Sequence, residues 1–208
     1  MKLTVKKDIS YCIFLMLFVA CTKNAEQKNT ITPSLDNVVA TVPTNPTFID
    51  YLIKKGSQFC LQNIYKEINT QEMKFVVKFD SSAVYETINP ANQFDINKLY
   101  GFADNDSFHH VCSARFGWNW INNSLWLYGY VYNNTVLLKQ TLIAIPIGQE
   151  INCSIKVNGN TYIFTVNGTA FTMPRTSTTP KGKGYQLYPY FGGDELAPHD
   201  IKISIKEL

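Results

Sequence analysis

The chain has 208 residues and a formal net charge of +3, with 17% charged and 13% aromatic residues. So small a charge gives no bulk attraction to nucleic acid or to an anionic membrane surface, so nucleic acid is excluded as the expected partner. The length suits one domain of ordinary size, and Asn, Thr and Gly outweigh charges, as in a β-rich protein whose polar contacts are made by amides and hydroxyls.

The N-terminus comes first. Lys2, Lys6 and Lys7 form a basic head, an apolar run from Tyr11 to Ala20 follows, and Ala20 directly precedes Cys21. The run is too short to span a bilayer comfortably and has the layout of a signal peptide. This arrangement resembles a bacterial lipoprotein signal over residues 1–20, with Phe18 where leucine is more usual. The resemblance implies that Cys21 is lipidated. The expected location is then the bacterial cell envelope, at the outer membrane, with membrane contact through the lipid anchor only. Loss of residues 1–20 removes Lys2, Lys6, Lys7 and Asp8 and takes the net charge from +3 to +1.

Residues 21–47 read as a lipid-anchored flexible tether. They are rich in Thr, Asn, Lys and Pro, lack periodicity, and offer too little apolar area to offset their ordering entropy. A domain is expected over 48–208. Ile49–Ile53 fits a strand or a helical face, and Gly56 soon after favours a strand and turn. Phe75, Val77 and Phe79 alternate with Val76, Lys78 and Asp80, as in a half-buried strand. Leu99–Phe102 is a further short apolar segment.

Residues 114–121 and 124–132 read as a hairpin turning through Asn122-Asn123, residue types that tolerate left-handed backbone. A two-residue turn sets Trp120 opposite Leu125, Trp118 opposite Leu127 and Phe116 opposite Gly129 on one apolar face. The other face carries Arg115, Gly117 and Asn119 opposite Tyr130, Tyr128 and Trp126. Rings beside a guanidinium and an amide read as a platform for flat apolar surfaces that carry hydroxyls or carboxylates, as sugars do. Tyrosines that merely cover the outer side of a sheet are the plain alternative.

A second hairpin joins 151–157 to 161–167 around Asn158-Gly159-Asn160, and Asn167-Gly168 turns into Thr169–Met173. Residues 174–184 read as a mobile loop of Pro, Thr, Lys and Gly. In Tyr185–Phe191, Tyr185, Leu187 and Phe191 are expected to face inward, and Gln186, Tyr188 and Tyr190 outward with the Arg115 face. Ile201, Ile203 and Ile205 alternate with polar residues in a last strand. Many short strands with turn punctuation, and no long amphipathic helix, predict an all-β antiparallel sandwich. Cys60, Cys112 and Cys153 allow at most one disulfide and read as small buried apolar residues.

No cofactor is required. Asp104 and Asp106, and Asp194 and Asp200, sit in oxygen-rich loops that either stay solvated or hold a structural Ca²⁺.

The strand pattern, with NGNTYIFTVNG at 158–168 and YPYFGG at 188–193, resembles the concanavalin A-like lectin/glucanase jelly roll over residues 48–208. The resemblance implies a curved sheet with a glycan-binding groove, formed here by Arg115, Asn119, Trp126, Tyr128, Tyr130, Gln186, Tyr188 and Tyr190, and a polysaccharide or oligosaccharide as partner. The Glu-x-Asp-x-Glu string of the glucanase members is absent, and retaining hydrolysis needs two carboxyl groups about 5 Å apart. Glycoside hydrolysis is therefore disfavoured, and the first expectation is a non-catalytic carbohydrate-binding protein. A second is a polysaccharide lyase acting on a uronate-containing glycan, for which Arg115, Gln186, Tyr188, Tyr190 and either His110 or His109 are the right residue types, although the lyases' sequence strings are not matched. A third is a protein–protein interaction module on the same aromatic face.

Overall fold

The computed structural model describes residues 46–208. The signal peptide 1–20, Cys21 and nearly all of the tether 21–47 lie outside the described residues.

Among the described residues, twelve strands form the fold. They are β1 (Ile49–Ile53), β2 (Glu67–Thr70), β3 (Glu72–Phe79), β4 (Asn97–Ala103), β5 (Cys112–Ile121) and β6 (Ser124–Asn133). The second half of the chain adds β7 (Val136–Ile145), β8 (Ile151–Asn158), β9 (Thr161–Val166), β10 (Thr169–Pro174), β11 (Gly182–Leu187) and β12 (Ile201–Glu207). They make two six-stranded sheets, ordered β1-β12-β3-β8-β9-β10 and β2-β11-β4-β5-β6-β7. The strand pairs of both sheets are antiparallel, and two short 3₁₀ turns lie between β3 and β4. The all-β sandwich expected from the strand pattern is what the chain forms.

Period-two alternation explains how the sheets face one another. In β12, Ile201, Ile203 and Ile205 are buried, with Ile203 and Ile205 opposite Phe79 and Val77 of β3 and Ile201 opposite Ile53 of β1. Phe116 of β5 packs edge-on between Phe75 and Phe164 of the facing sheet, with centroids 5.6 and 5.1 Å away. Trp118 lies 5.3 Å from Phe79 and 5.7 Å from Tyr85. Such offset contacts add to the burial energy of the rings.

The β5–β6 hairpin has the expected register, Trp118 against Leu127 and Arg115 against Tyr130. Asn122 and Asn123 both have positive φ, 51° and 56°, which gives the two-residue turn whose twist matches the strands. Its outer face carries Arg115 and Tyr130.

Two features differ from expectation. The 174–184 segment is not a free loop: Arg175 and Ser177 are buried, and the Arg175 guanidinium bonds the Gly159, Ser177 and Thr179 carbonyls. β7, an exposed edge strand without clear alternation, adds an outer strand beside β6. Cys60, Cys112 and Cys153 are all free and buried, so no disulfide forms among them. Burial pushes the Cys60 thiol up to about 11 and raises that of Cys153 as well, which makes both poor nucleophiles.

Candidate functional site

The outer face of the β2–β7 sheet holds a cavity of about 680 Å³. Its walls are largely aromatic: Phe59, Tyr65, Tyr130, Tyr132, Tyr185 and Tyr190, with His109 and His110 at one end and Lys98 and Arg115 within. Clefts of this size with apolar walls and a few placed polar groups are the usual form of a small-ligand site.

Backbone register places the two cations. Arg115 stands opposite Gly101 of β4, and Lys98 stands opposite Gly117 of β5. A bulge between Lys98 and Gly101 shifts the parity of β4, so both residues present the groove face. The glycines leave the room. A methyl at Gly101 would lie 2.2 Å from the Ala114 carbonyl oxygen and 2.4 Å from the Arg115 Cβ, and one at Gly117 would lie 2.4 Å from Ile96.

Arg115 is 7% exposed, and its Nε has no hydrogen-bond partner. Its guanidinium carbon lies 5.4 Å from the Tyr130 ring centre. Lys98 Nζ is also 5.4 Å from that ring and 5.7 Å from Tyr190, and it donates to the Gly192 carbonyl at 2.6 Å. Neither cation is ion-paired with a described acidic side chain. Burial pulls the Arg115 guanidinium down to about 10. Burial, reinforced by Arg115, pulls the Lys98 amine down to about 8.

His109 Nδ1 lies 2.9 Å from the Tyr185 hydroxyl, and the His109 and His110 rings are 4.2 Å apart. Burial, then the positive charge of Arg115, pushes His109 down to about 4, so its imidazole is neutral at physiological pH.

Of the residues singled out in the sequence, Arg115, Tyr130, Gln186, Tyr188, Tyr190 and His110 border the cavity, whereas Asn119, Trp126 and Tyr128 do not. Tyr128 and Asn119 share the sheet face but bond each other, hydroxyl to amide oxygen at 3.0 Å, and both are buried.

The facing expected for β11 is inverted. Gln186 stands opposite Phe102, a core residue, and donates to the Tyr100 hydroxyl. Tyr188 packs 5.8 Å from Tyr51 and 6.0 Å from Tyr100 within the core. Both touch the cavity only from its inner edge, while Tyr185 and Leu187 take the groove side. Tyr190 reaches the cavity from beyond the strand end, where its ring meets Phe59 at 5.0 Å and its hydroxyl donates to Gln58 Oε1 at 2.5 Å. Sequence reasoning missed Lys98 and Tyr185, and the apolar rim of Phe59 and Tyr65; His109, weighed there as the alternative to His110, lines the cavity beside it.

The calcium reading meets different geometry. Asp104 is fully buried, with Arg175 Nε 2.8 Å and the Tyr162 hydroxyl 2.6 Å from its Oδ2. Asp106 pairs with Lys183 at 2.6 Å, Asp200 pairs with Lys54, and the Asp194 N–H donates to Asp95 Oδ2. These carboxylates face different partners, and no cluster of three or more His, Cys, Asp or Glu fit to hold a metal ion occurs among the described residues.

No protein-family model matches the chain, and no curated protein matches it. Solved structures do. One is SCLam, a non-specific endo-beta-1,3(4)-glucanase from family GH16, with TM-score 0.51, 10% identity, and coverage of 78% of this chain and 70% of that one. Another is the alginate lyase AlyC3, with TM-score 0.52, 8% identity, and coverage of 76% of this chain and 72% of that one. At such identities the likeness is one of fold, and the fold is the concanavalin A-like jelly roll that the sequence resembles.

Proposed function

We propose that this is a carbohydrate-binding domain that holds an oligosaccharide or polysaccharide in the groove over Tyr130, exported and held at the bacterial cell envelope by a lipid on Cys21. The observation that carries the reading is the cavity itself: aromatic rings form its walls and hydrogen-bond donors its floor, on the open face of a sheet. Rings stack the apolar faces of sugars, and fixed donors meet their oxygens. That two proteins of similar fold are, by their names, a glucanase and an alginate lyase supports a carbohydrate partner.

The geometry also separates rings that bind from rings that support. Tyr190→Ala lowers affinity for a bound glycan about tenfold or more in calorimetric titration, and Tyr190→Phe retains it. Tyr128→Phe leaves affinity unchanged and costs about 1 kcal/mol of stability, the usual worth of one buried hydrogen bond. Equal affinity losses for Tyr190→Ala and Tyr128→Phe would show that the cavity is not where the glycan sits.

A second reading, a polysaccharide lyase on a uronate-containing glycan, is favoured by the His109–Tyr185 pair. A neutral imidazole 2.9 Å from a hydroxyl, inside the cavity, is a group set able to accept and return a proton. Release of an ultraviolet-absorbing unsaturated product from a polyuronate, lost in His109→Ala, would favour this reading over binding alone.

A further inference from the structure

We propose that Arg115 and Lys98 together form a subsite for one anionic substituent of the bound glycan, a carboxylate or a sulfate ester, seated over the Tyr130 ring. This inference rests on the reading of the cavity as a glycan site and names the chemical class of sugar it takes.

A buried guanidinium is ordinarily paired, because removing an ion from water without a counter-charge costs several kcal/mol. The buried Arg175 shows how this chain meets that cost elsewhere, with the carboxylate of Asp104 at 2.8 Å. Arg115 is 7% exposed and has neither an ion-pair partner nor a hydrogen bond at Nε. Lys98, a second cation, lies at the same 5.4 Å from the Tyr130 ring centre as Arg115 does. Two like charges drawn to one ring, in a cavity bordered by tyrosines and the His109 and His110 rings, leave an anion's place open. An oxyanion entering there neutralises both charges. The planar fork of Arg115 suits two oxygens at once, and the ammonium of Lys98 acts as a point charge beside it.

The remaining charges around the pair are few. Asp95 acts on Lys98 from the turn before β4 and favours its protonated form, and Lys139 on β7 opposes it. The Tyr130, Tyr132, Tyr185 and Tyr190 hydroxyls face Arg115. With Lys98 at about 8 in the free protein, an anion bound beside it raises that value. Affinity for the anion is therefore full below about 8 and declines as pH rises through it. Arginine at position 98 keeps its charge over the same range.

The test is calorimetric titration of the purified full-length protein with three oligosaccharides of equal length, a polyuronate, a sulfated glycan and a neutral glucan, at pH about 6.5 and about 9.5. Thermal melts with inorganic sulfate or acetate run alongside. At the lower pH, an acidic glycan is expected to bind at least about tenfold more tightly than the neutral one, and its affinity to fall severalfold at the higher pH. Lys98→Arg retains the affinity and flattens the pH profile. Lys98→Met weakens binding of the acidic glycan alone. Preference for the polyuronate or for the sulfated glycan identifies which oxyanion the site takes.

Neutral glucan binding as tightly as the acidic sugars, with Lys98→Met unchanged, would overturn the anionic subsite and leave the glycan reading standing. No glycan binding, with sulfate or acetate raising the melting temperature of the wild type but not of Arg115→Met, would keep the anion site and sink the glycan reading. Neither glycan binding nor an anion effect would overturn both.

Discussion

Substitution of Arg175 by leucine lowers the melting temperature of the domain by roughly 6–20 °C. The estimate follows from about 3–5 kcal/mol for breaking a buried ion pair and about 2–4 °C per kcal/mol for a domain of this size. Arg175 is 4% exposed and Asp104 is fully buried. Leucine leaves the Asp104 carboxylate with the Tyr162 hydroxyl and the Asn105 and Lys183 N–H groups, but no counter-charge. It also releases the carbonyls of Gly159, Ser177 and Thr179, so the segment between β10 and β11 loses its clamp.

The pH dependence supplies a second signature. Burial by itself raises the Asp104 carboxyl, but hydrogen bonds from Arg175 and Tyr162 outweigh it and hold the group below the usual range. A carboxyl depressed in the folded state contributes stability that is full above its unfolded value, about 3.9, and is lost as pH falls through the folded value. In Arg175→Leu the guanidinium is gone and burial dominates, so the folded carboxyl rises above 3.9 and the sign reverses. That variant gains stability as pH falls from neutral towards about 4, where the wild type does not. Thermal melts at pH about 7 and about 5 read the reversal. The double replacement Asp104→Leu with Arg175→Leu recovers part of the loss, because it leaves no unpaired charge. A single-variant melting temperature within about 2 °C of the wild type would show that the pair is not a support of the fold.

The hairpin of β5 and β6 was legible because its determinants are local. Two asparagines able to adopt left-handed backbone fix a two-residue turn, and strict parity then assigns every side chain to a face. Arg115 and Tyr130 followed from that alone. Lys98 did not, since its place depends on a bulge in β4 that nothing in Asn97–Ala103 announces. The facing of β11 was misread for a related reason: Gly182 to Leu187 has no apolar alternation, and pairing with β4 sets its phase. The Asp104–Arg175 pair joins positions 71 apart in sequence. From composition, one looked like a solvated acidic loop and the other like part of a mobile segment. Close approach between distant strands is the one level of structure that local pattern does not encode.

Arg115→Met raises the stability of the unliganded domain while removing its affinity for an acidic sugar. In the free protein the guanidinium is charged, buried and unpaired, and burial draws it from 12.5 down to about 10. At about 1.4 kcal/mol per unit, a charge so placed costs the folded state on the order of 3–4 kcal/mol at neutral pH. Methionine has similar length, needs no partner, and packs against the Tyr130 ring through its sulfur. Replacing buried ionic groups by apolar ones of like volume is often stabilising, by about 1–4 kcal/mol. The expected rise in melting temperature, measured by calorimetry without ligand, is therefore several degrees. Lys98 adds a dependent effect. Without the neighbouring guanidinium its amine moves back towards the ordinary lysine value, because Arg115 is the second cause of its depression after burial. A destabilised Arg115→Met would mean that the guanidinium holds the sheet together, as a structural cation does. A stabilised one that no longer binds acidic glycan marks Arg115 as a residue kept at the expense of the fold, which is the physical signature of a binding site.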